Sequence, residues 1–274
     1  MLKVTVINEI MKVGSTIPLR VTCSDFKQYI LKGINKNVPT GKALFNEVVA
    51  SRFAKLIGLD TPNTAIGILP ESIITSSDII NLKKYGFKSG PCFLSEYLEG
   101  TSLHINPVTV KYISNIDIVP KLILFDVILM NTDREGNDGN WFHVKKGHKL
   151  IAIDHTNIFR IAQIWDKNTL EQDEVIPPKI VDEIKGPTYR LLVQEYEKKL
   201  KKNQHHLYQH QHLFSGIGRK IETITDDQIQ NCFINIPQEW GISDEDSEAA
   251  AKFLKFQITH IDDIILELEK IFKA

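Results

Sequence analysis

Residues 131–144, NTDREGNDGNWFHV, place carboxylates, carboxamides and one arginine between two apolar segments. The preceding residues 122–130, LILFDVILM, predict a buried helix. The segment WFHVKKGHKLIAID predicts two strands that turn at KKGHK and end at Asp154. Any one of these polar residues is more often a turn residue or an Asx cap than a ligand. Their ordered combination of helix, Asp-Arg loop, Asn, strand, turn, strand and Asp nevertheless indicates a phosphoryl-transfer site.

Three side chains of this region suit that chemistry. Asp133 follows the helix and lies in the loop, where a carboxylate can orient an attacking hydroxyl or accept its proton. Asn140 directly precedes the strand WFHV, and Asp154 ends the next strand. An amide oxygen and a carboxylate on adjacent strand ends can share Mg²⁺, which prefers oxygen ligands together with substrate phosphates.

The composition of the chain sets the class of protein. Its 274 residues are 42% hydrophobic and 24% charged, which is an ordinary globular balance. The net charge of -1 gives no global bias toward nucleic acid or an anionic membrane, so we predict no direct binding to either. The three cysteines have no CxxC spacing and favour a reducing cytoplasm. No signal peptide opens the chain and no apolar run could cross a bilayer, so we expect a cytoplasmic protein.

The first hundred residues predict mostly sheet with one strong helix. Runs 19–22 and 28–34 flank the turn-like CSDF and predict a hairpin. The apolar spacing after Thr40 predicts a helix that Gly58 ends. TAIGIL (64–69) and CFLSEYLEG (92–100) predict two further strands, the second ending at Gly100.

The remainder of the chain is predicted to be mainly helical. Asp117 can cap the helix IVPKLILFDVILMN, and a last helix is predicted from Ser247 to Phe272. The fold class is therefore α+β, with a small β-rich lobe before a larger helical lobe. We place the boundary at residue 98, so that the lobes are 1–98 and 99–274.

Two charged residues of the first lobe have unusual settings. Lys32 lies among apolar neighbours in YILKGI, where it is either an edge lysine that reaches water or a ligand for an anion. Glu47 has small and apolar helical neighbours, and it is either a solvated helix charge or a partner that holds Lys32 for phosphate contact. Gly14 and Ser15 in KVGST could approach a phosphate through backbone N–H groups, although a plain turn explains them equally well.

Several segments occur in the order that resembles the HipA-like kinases of the compact, single-module type, a branch of the protein-kinase-like superfamily. The segments are VGSTIP, YILKGI, ALFNEVVASRFAKLIGLDTP, FLSEYLEG, NTDREGNDGNW, LIAIDH and IPQEW. The loop NTDREGNDGNW with IAID beyond it is also similar to the type II phosphatidylinositol kinases, which share this architecture.

The resemblance implies a bilobal protein-kinase-like fold that uses ATP and Mg²⁺. It implies that Lys32 contacts the α- and β-phosphates with Glu47 as its ion-pair partner, and that Asp133 is the catalytic aspartate. It further implies that Gly14 and Ser15 lie in a loop over the phosphates. A hinge formed by Glu96, Tyr97 and Leu98 would offer backbone groups to adenine. Asn140 and Asp154 would be the Mg²⁺ ligands.

Two departures from the family pattern bear on these roles. The loop carries Asn137, Asp138 and Asn140, so the metal-binding side chain is ambiguous; we favour Asn140 because it abuts the strand. Asp154 is followed by His155 and Thr156 rather than by Phe-Gly, so arguments about activation loops of ordinary protein kinases do not transfer.

We therefore predict a kinase that transfers the γ-phosphoryl group to a hydroxyl, most simply Ser or Thr of an unidentified protein substrate. The alternatives are a lipid or small-molecule kinase and a nucleotide-binding pseudokinase that acts as a regulatory module. The joint presence of Lys32, Asp133, Asn140 and Asp154 argues against the pseudokinase. A regulatory or antitoxin partner is compatible with the resemblance.

Overall fold

A small β-barrel dominates the first hundred residues. The computed structural model describes residues 1–11, 16–79, 82–160, 163–203 and 213–273. The barrel order is β1-β2-β3-β5-β4, and a parallel pairing of β1 with β4 closes it. Alternate residues of β2 fill the interior, as period-2 alternation requires. The five strands are β1 Leu2–Ile10, β2 Leu19–Cys23, β3 Gln28–Lys32, β4 Thr64–Leu69 and β5 Gly90–Glu96.

The helix α1, Gly41–Ile57, lies between the barrel and the helical remainder of the chain. Gly58 ends it with φ 71°, a left-handed conformation that glycine adopts without penalty. Leu44 and Val48 pack toward the barrel strand β5, while Phe45 and Phe53 pack into the large helical core. Because both sides are covered, polar residues of the helix such as Asn46, Glu47 and Ser51 are buried together with its apolar ones.

The remaining chain combines a three-stranded sheet with helices. The sheet has the order β6-β7-β8. Its strands are β6 Gly100–Ser102, β7 Trp141–Val144 and β8 Lys149–Ala152. The helix α2, Glu71–Ser76, lies between β4 and β5 of the barrel, and the helices of the remaining chain are α3 Ile118–Ile128, α4 Lys167–Asp173, α5 Pro187–Asn203, α6 Ser215–Glu222, α7 Asp226–Gln230, α8 Asp244–Thr259 and α9 Ile261–Lys273. Short 3-10 turns are Leu82–Tyr85, Thr109–Tyr112, Asp138–Asn140, Asp182–Lys185 and Gln238–Trp240.

The helix α3 forms the centre of the large core. Every one of its residues except Lys121 is buried. The single carboxylate inside it, Asp126, is completely buried and therefore needs hydrogen-bonded partners. Two of those partners, Asn131 and Arg134, come from the loop that follows the helix, and a third, Tyr189, comes from α5.

Several predicted elements are confirmed, and four details are wrong. The hairpin β2–β3, the helix α1 with its end at Gly58, and the ribbon β7–β8 form as predicted. The strand β1 was not predicted. The strand predicted to run to Gly100 ends at Glu96, because Gly100 begins β6 and pairs with Val144 instead.

The other two corrections concern helices. Asp117 occupies the N-cap position of α3 but makes no capping hydrogen bond; its carboxylate pairs with Lys121 at 3.6 Å. The predicted last helix is two helices, α8 and α9, which meet at His260. The predicted mixture of strands and helices is confirmed, whereas the division into lobes at residue 98 stays a prediction. Within the described residues, no helix is long and apolar enough to cross a membrane.

Candidate active site

A cleft of about 500 Å³ opens between the barrel and the β7–β8 ribbon. Ile30 and Phe93 line it from the barrel, and Phe142 and Ile151 line it from the ribbon. Seven of the predicted site residues meet in this cleft: Lys32, Glu47, Glu96, Tyr97, Leu98, Asn140 and Asp154. Gly14 and Ser15 lie outside the described residues.

Lys32 is the centre of a buried ion-pair network. Its Nζ lies 2.5 Å from Glu47 Oε1 and 2.8 Å from Asp154 Oδ1. It also donates a hydrogen bond to Thr156 Oγ1 at 3.0 Å. The network joins three segments far apart in sequence, because Lys32 ends β3, Glu47 lies on α1 and Asp154 follows β8. The solvated-charge interpretations of Lys32 and Glu47 are therefore wrong for this fold.

The charges of this network follow from their surroundings. Burial alone would lower the pKa of Lys32, but the carboxylates of Asp154 and Glu47 raise it above its ordinary value. Burial would raise the pKa of Asp154, yet Lys32 and the hydrogen bonds from Thr156 hold it well below its usual range. Burial raises the pKa of Glu47, and Lys32 opposes that shift. At neutral pH the cleft thus contains a cationic lysine beside an anionic Asp154.

Asp133 lies behind Asn140 and is held by amide groups of its own loop. The Asn140 side-chain nitrogen donates to the Asp133 carbonyl oxygen at 2.6 Å and to its Oδ2 at 3.1 Å. Asn137 Nδ2 donates to the same Oδ2 at 3.3 Å. Asp133 is absent from the described residues that line the cleft, although Asn137 and Asn140 both line it.

Asn140 and Asp138 of the loop differ in orientation. Asn140 is buried, and its side-chain nitrogen donates to Asp133. The Oδ1 of Asn140 is therefore available to coordinate a cation. Asp138 is turned outward: its side chain is 57% exposed and its Oδ2 lies 2.8 Å from His104 Nδ1 on the surface. The geometry therefore favours Asn140 over Asp138 as a ligand inside the cleft.

A second buried network lies beneath the loop, and sequence reasoning missed it. Arg134 and Asp126 are both completely buried and form a two-point ion pair at 2.7 and 3.0 Å. Tyr189 donates its hydroxyl to the same carboxylate at 2.8 Å, and Asn131 donates to it at 2.7 Å. The one available signal was Asp126 itself, a carboxylate within an otherwise apolar run.

The Arg134 guanidinium connects that network to the candidate metal ligands. Its Nη1 donates to the carbonyl oxygens of Asn140 at 2.9 Å and of Ile153 at 3.3 Å. Ile153 immediately precedes Asp154, so a single guanidinium positions the backbone at both ligands. Arginine suits this role because its planar fork carries five donors in fixed geometry.

His155 completes this network as a neutral side chain. Its Nδ1 lies 3.2 Å from Arg134 Nη2, which can only donate, so Nδ1 is the acceptor. Burial and the adjacent Arg134 hold the pKa of His155 well below its ordinary value. The histidine that replaces Phe at this position is therefore an uncharged structural acceptor at neutral pH.

The predicted hinge offers one backbone donor to the cleft. The N–H of Glu96 donates to the Asn63 carbonyl at 2.7 Å, and that of Tyr97 donates to the Gln28 carbonyl at 2.9 Å. Among the described residues, the N–H of Leu98 has no protein partner. Leu98 lines the cleft, so its N–H is the hinge donor that a ligand could use.

Comparisons with known proteins bear on the family and the fold of the chain. The sequence model of the HipA-like kinases matches residues 4–180. Among solved structures, the proinflammatory kinase CtkA of Helicobacter pylori has a TM-score of 0.56 at 12% identity, with 94% of each chain covered. This likeness shows that the chain has a kinase fold.

Two further solved structures have lower TM-scores. The Golgi casein kinase with Mn/ADP bound has a TM-score of 0.47 at 10% identity and covers 97% of this chain and 73% of its own. HipA of Shewanella oneidensis MR-1, in complex with HipB and operator DNA, has a TM-score of 0.45 at 11% identity, with coverages of 97% and 68%. A search of curated proteins by sequence gives no match.

Proposed function

The chain belongs to the HipA-like kinase family, and from this premise we propose that it transfers the γ-phosphoryl group of ATP to a hydroxyl in a Mg²⁺-dependent reaction. One observation carries the proposal. Lys32, Glu47, Asp154 and Asn140 converge on one cleft, and Asn140 also donates a hydrogen bond to Asp133. Phosphoryl transfer relies on positioning and charge stabilisation rather than on covalent chemistry of the protein, so such an arrangement supports the proposal.

ATP would be oriented by both ends of the cleft. The N–H of Leu98 would donate to adenine, with the apolar side chains of Ile30 and Ile151 beside the ring. Lys32 would contact the α- and β-phosphates, and Glu47 would keep its ammonium in place. Gly14 and Ser15 remain the proposed loop over the phosphates.

The donor set of the cleft fits Mg²⁺. The hydrogen bonds and ion pair of Asp154 all fall on its Oδ1, which leaves Oδ2, and Asn140 contributes its Oδ1. One carboxylate and one amide oxygen, completed by substrate phosphates and water, match the oxygen coordination that Mg²⁺ prefers. When bound, the ion would supply charge neutralisation at the phosphate oxygens.

Asp133 would act on the acceptor. Its carboxylate, held by Asn137 and Asn140, would orient the acceptor hydroxyl and take up its proton. The acceptor oxygen forms a bond to the γ-phosphorus while the bond to the β,γ-bridging oxygen breaks, and ADP leaves. We propose Ser or Thr of a protein as the acceptor; a lipid or small-molecule hydroxyl requires the same chemistry.

Three other assignments accompany this proposal. The two-lobe division at residue 98, the cytoplasmic location and a regulatory or antitoxin partner remain proposals. The pseudokinase alternative would require that the assembled Lys32, Asp133, Asn140 and Asp154 bind nucleotide without transfer, and their joint placement argues against it.

The proposal is tested by calorimetric titration of ATP with and without Mg²⁺, followed by an ATP turnover assay. We expect Mg²⁺ to strengthen ATP binding, and we expect Asp133→Asn to abolish turnover while it retains ATP binding. Absence of ATP binding and of turnover in the wild-type protein would remove the kinase assignment. Binding without turnover would favour the pseudokinase.

A further inference from the structure

The segment 231–242, which we call the strap, leaves α7 and crosses one face of α1. We infer that the strap positions α1 so that Glu47 stays on Lys32, with Trp240 as the positioning residue. This inference rests on the proposed function and deepens it, because it concerns how the ATP-binding lysine is kept in place. It assigns that task to a segment of the same chain that lies outside the cleft.

One end of the strap is fixed to the middle of α1. Arg52 Nη1 donates to the carbonyl oxygens of Cys232 at 3.0 Å and of Ile234 at 2.6 Å. The rings of Phe45 and Phe233 lie 6.0 Å apart between these bonds and the start of the helix. Both contacts come from α1 and both end on the strap.

The other end of the strap meets the start of α1 at a glycine. A Cβ added at Gly41 would lie 1.9 Å from the carbonyl oxygen of Trp240. Only a residue without a side chain permits this approach of two backbones. The contact positions 41, 44, 45, 48 and 52 share one face of the helix, and Glu47 lies roughly 120° around the axis from it.

Trp240 fills the space between α1 and the barrel. It is 4% exposed and forms one apolar cluster with Leu44 and Val48 of α1 and Phe93 of β5. Its indole Nε1 donates to the Pro91 carbonyl of the same strand at 3.1 Å. Phe93 is the residue paired with Lys32 across β3 and β5. The indole thus touches the strand partner of Lys32 and the helix turn that carries Glu47, so it sets the distance between them.

The opposite side of α1 is held in a complementary way. Asn46 Nδ2 donates to the Thr156 carbonyl at 2.7 Å, and its Oδ1 accepts from Trp165 Nε1 at 3.0 Å. These bonds tie the helix to the segment after Asp154. With the strap on the other face, α1 is positioned by its own chain from two sides.

Trp240→Ala tests the inference through a double-mutant cycle with Glu47→Gln. Loss of the indole lets α1 shift, and a displacement of about 1 Å in a catalytic arrangement can cost about a hundredfold in rate, so we expect kcat to fall at least about tenfold. In the Glu47→Gln background the same change should lower kcat far less, because the pair it positions is already lost. Equal losses in both backgrounds, or unchanged kcat in Trp240→Ala, would overturn the inference. Trp240→Phe, which keeps most of the packing, should retain most of the activity.

Two glycines provide a matched pair of backbone variants. Gly41→Ala should displace the strap and lower kcat in the same direction as Trp240→Ala. Gly216→Ala, in α6, is the control, because a Cβ there meets no atom of the described residues within 4 Å. If both glycine variants behave alike, the strap contact at Gly41 has no role in catalysis.

A second readout does not depend on phosphoryl transfer. The rate at which acetic anhydride modifies Lys32, measured by mass spectrometry, should rise in Trp240→Ala and stay at the wild-type value in Gly216→Ala. Hydrogen exchange of α3 serves as the folding control. An unchanged Lys32 rate in Trp240→Ala contradicts the inference even if the wild-type protein transfers phosphate. A raised rate supports it even if the proposed kinase activity fails.

Discussion

A single guanidinium organises the candidate active site. Arg134 reaches Asp126 below the loop and the carbonyl oxygens of Asn140 and Ile153 above it. In our proposal Arg134 contacts neither ATP nor the acceptor. Its effect on activity would come from positioning the backbone at Asn140 and Asp154. The sequence predicted seven of the residues that line the cleft but not this support, because an ion pair between a helix and the following loop is a tertiary contact.

Arg134→Lys should therefore be damaging despite the retained charge. An ammonium cannot replace the two-point contact and also reach both carbonyls, so Asp126 is left under-satisfied in a buried site. We expect the free energy of unfolding to fall by about 3 kcal/mol, as for other broken buried ion pairs, and kcat to fall with it. Denaturant unfolding measures the first quantity. Tyr189→Phe, which removes one hydrogen bond to Asp126, should cost only about 1–2 kcal/mol. Wild-type stability of Arg134→Lys would contradict this account.

The choice among the loop residues is also settled by substitution. Loss of an outer-shell partner costs about 10–100-fold in metal affinity, so loss of the ligand itself in Asn140→Ala should raise the Mg²⁺ concentration for half-maximal activity by at least about tenfold. Asp138→Ala should leave that concentration unchanged, because Asp138 faces His104 on the surface. A Mg²⁺ titration of the turnover rate measures both. The reverse result would move the metal site to Asp138.

His155 predicts a pH dependence of stability. Its folded-state pKa is depressed by burial and Arg134, so at acidic pH the unfolded chain binds a proton that the folded chain does not. The contribution of the neutral His155 to the free energy of unfolding is therefore fully present above the ordinary histidine pKa and is lost as the pH drops below it. When the pH is lowered from 7.5 to 5, this one group should lower the free energy of unfolding by about 2 kcal/mol. Urea unfolding at both pH values should show a smaller loss for His155→Gln, and an identical loss in both proteins would refute the neutral assignment.

Among the elements, those with a regular local pattern were predictable. The hairpin β2–β3 and the helix α1 have clear periodicity and clear ends. The strand β1 lacks such a pattern because its pairing with β2 shifts register twice, between Val4 and Val6 and between Ile7 and Glu9. Irregular pairing disturbs the alternation of buried and exposed residues on which strand prediction relies. The break at His260 has no glycine or proline to mark it, so the two helices were predicted as one.

The end of α1 gives a test confined to one element. Gly58 has φ 71°, so Gly58→Ala should lower the free energy of unfolding by about 1 kcal/mol through backbone strain. The turnover rate should not change, because the end of the helix is three turns from Glu47. Gly58→Asn should cost less, since asparagine tolerates this conformation. A stability loss of equal size in both variants would argue against left-handed strain as the cause.

The fold of the whole molecule brings motifs that are far apart in sequence together in one site. Residues between Lys32 and Asp154 meet because the barrel supplies the lysine, α1 its partner, and the β7–β8 ribbon the candidate metal ligands. The order of the motifs was sufficient to predict their assembly, since the resemblance to a known family carries the topology with it. The contact between the strap and α1 could not be predicted from the sequence. The segment IPQEW matched the order of segments in the family, but none of its residues indicated that it packs against α1.

We propose that this arrangement phosphorylates a hydroxyl of another molecule, and phosphoproteomics of a cell extract tests the proposal. An extract of the cell of origin is incubated with ATP and Mg²⁺ and either the wild-type protein or the Asp133→Ala variant. We predict a set of Ser or Thr sites phosphorylated by the wild-type protein and absent with the variant. Identical phosphorylation by both proteins, in an extract where ATP is still present, would contradict transfer through Asp133 to a protein acceptor.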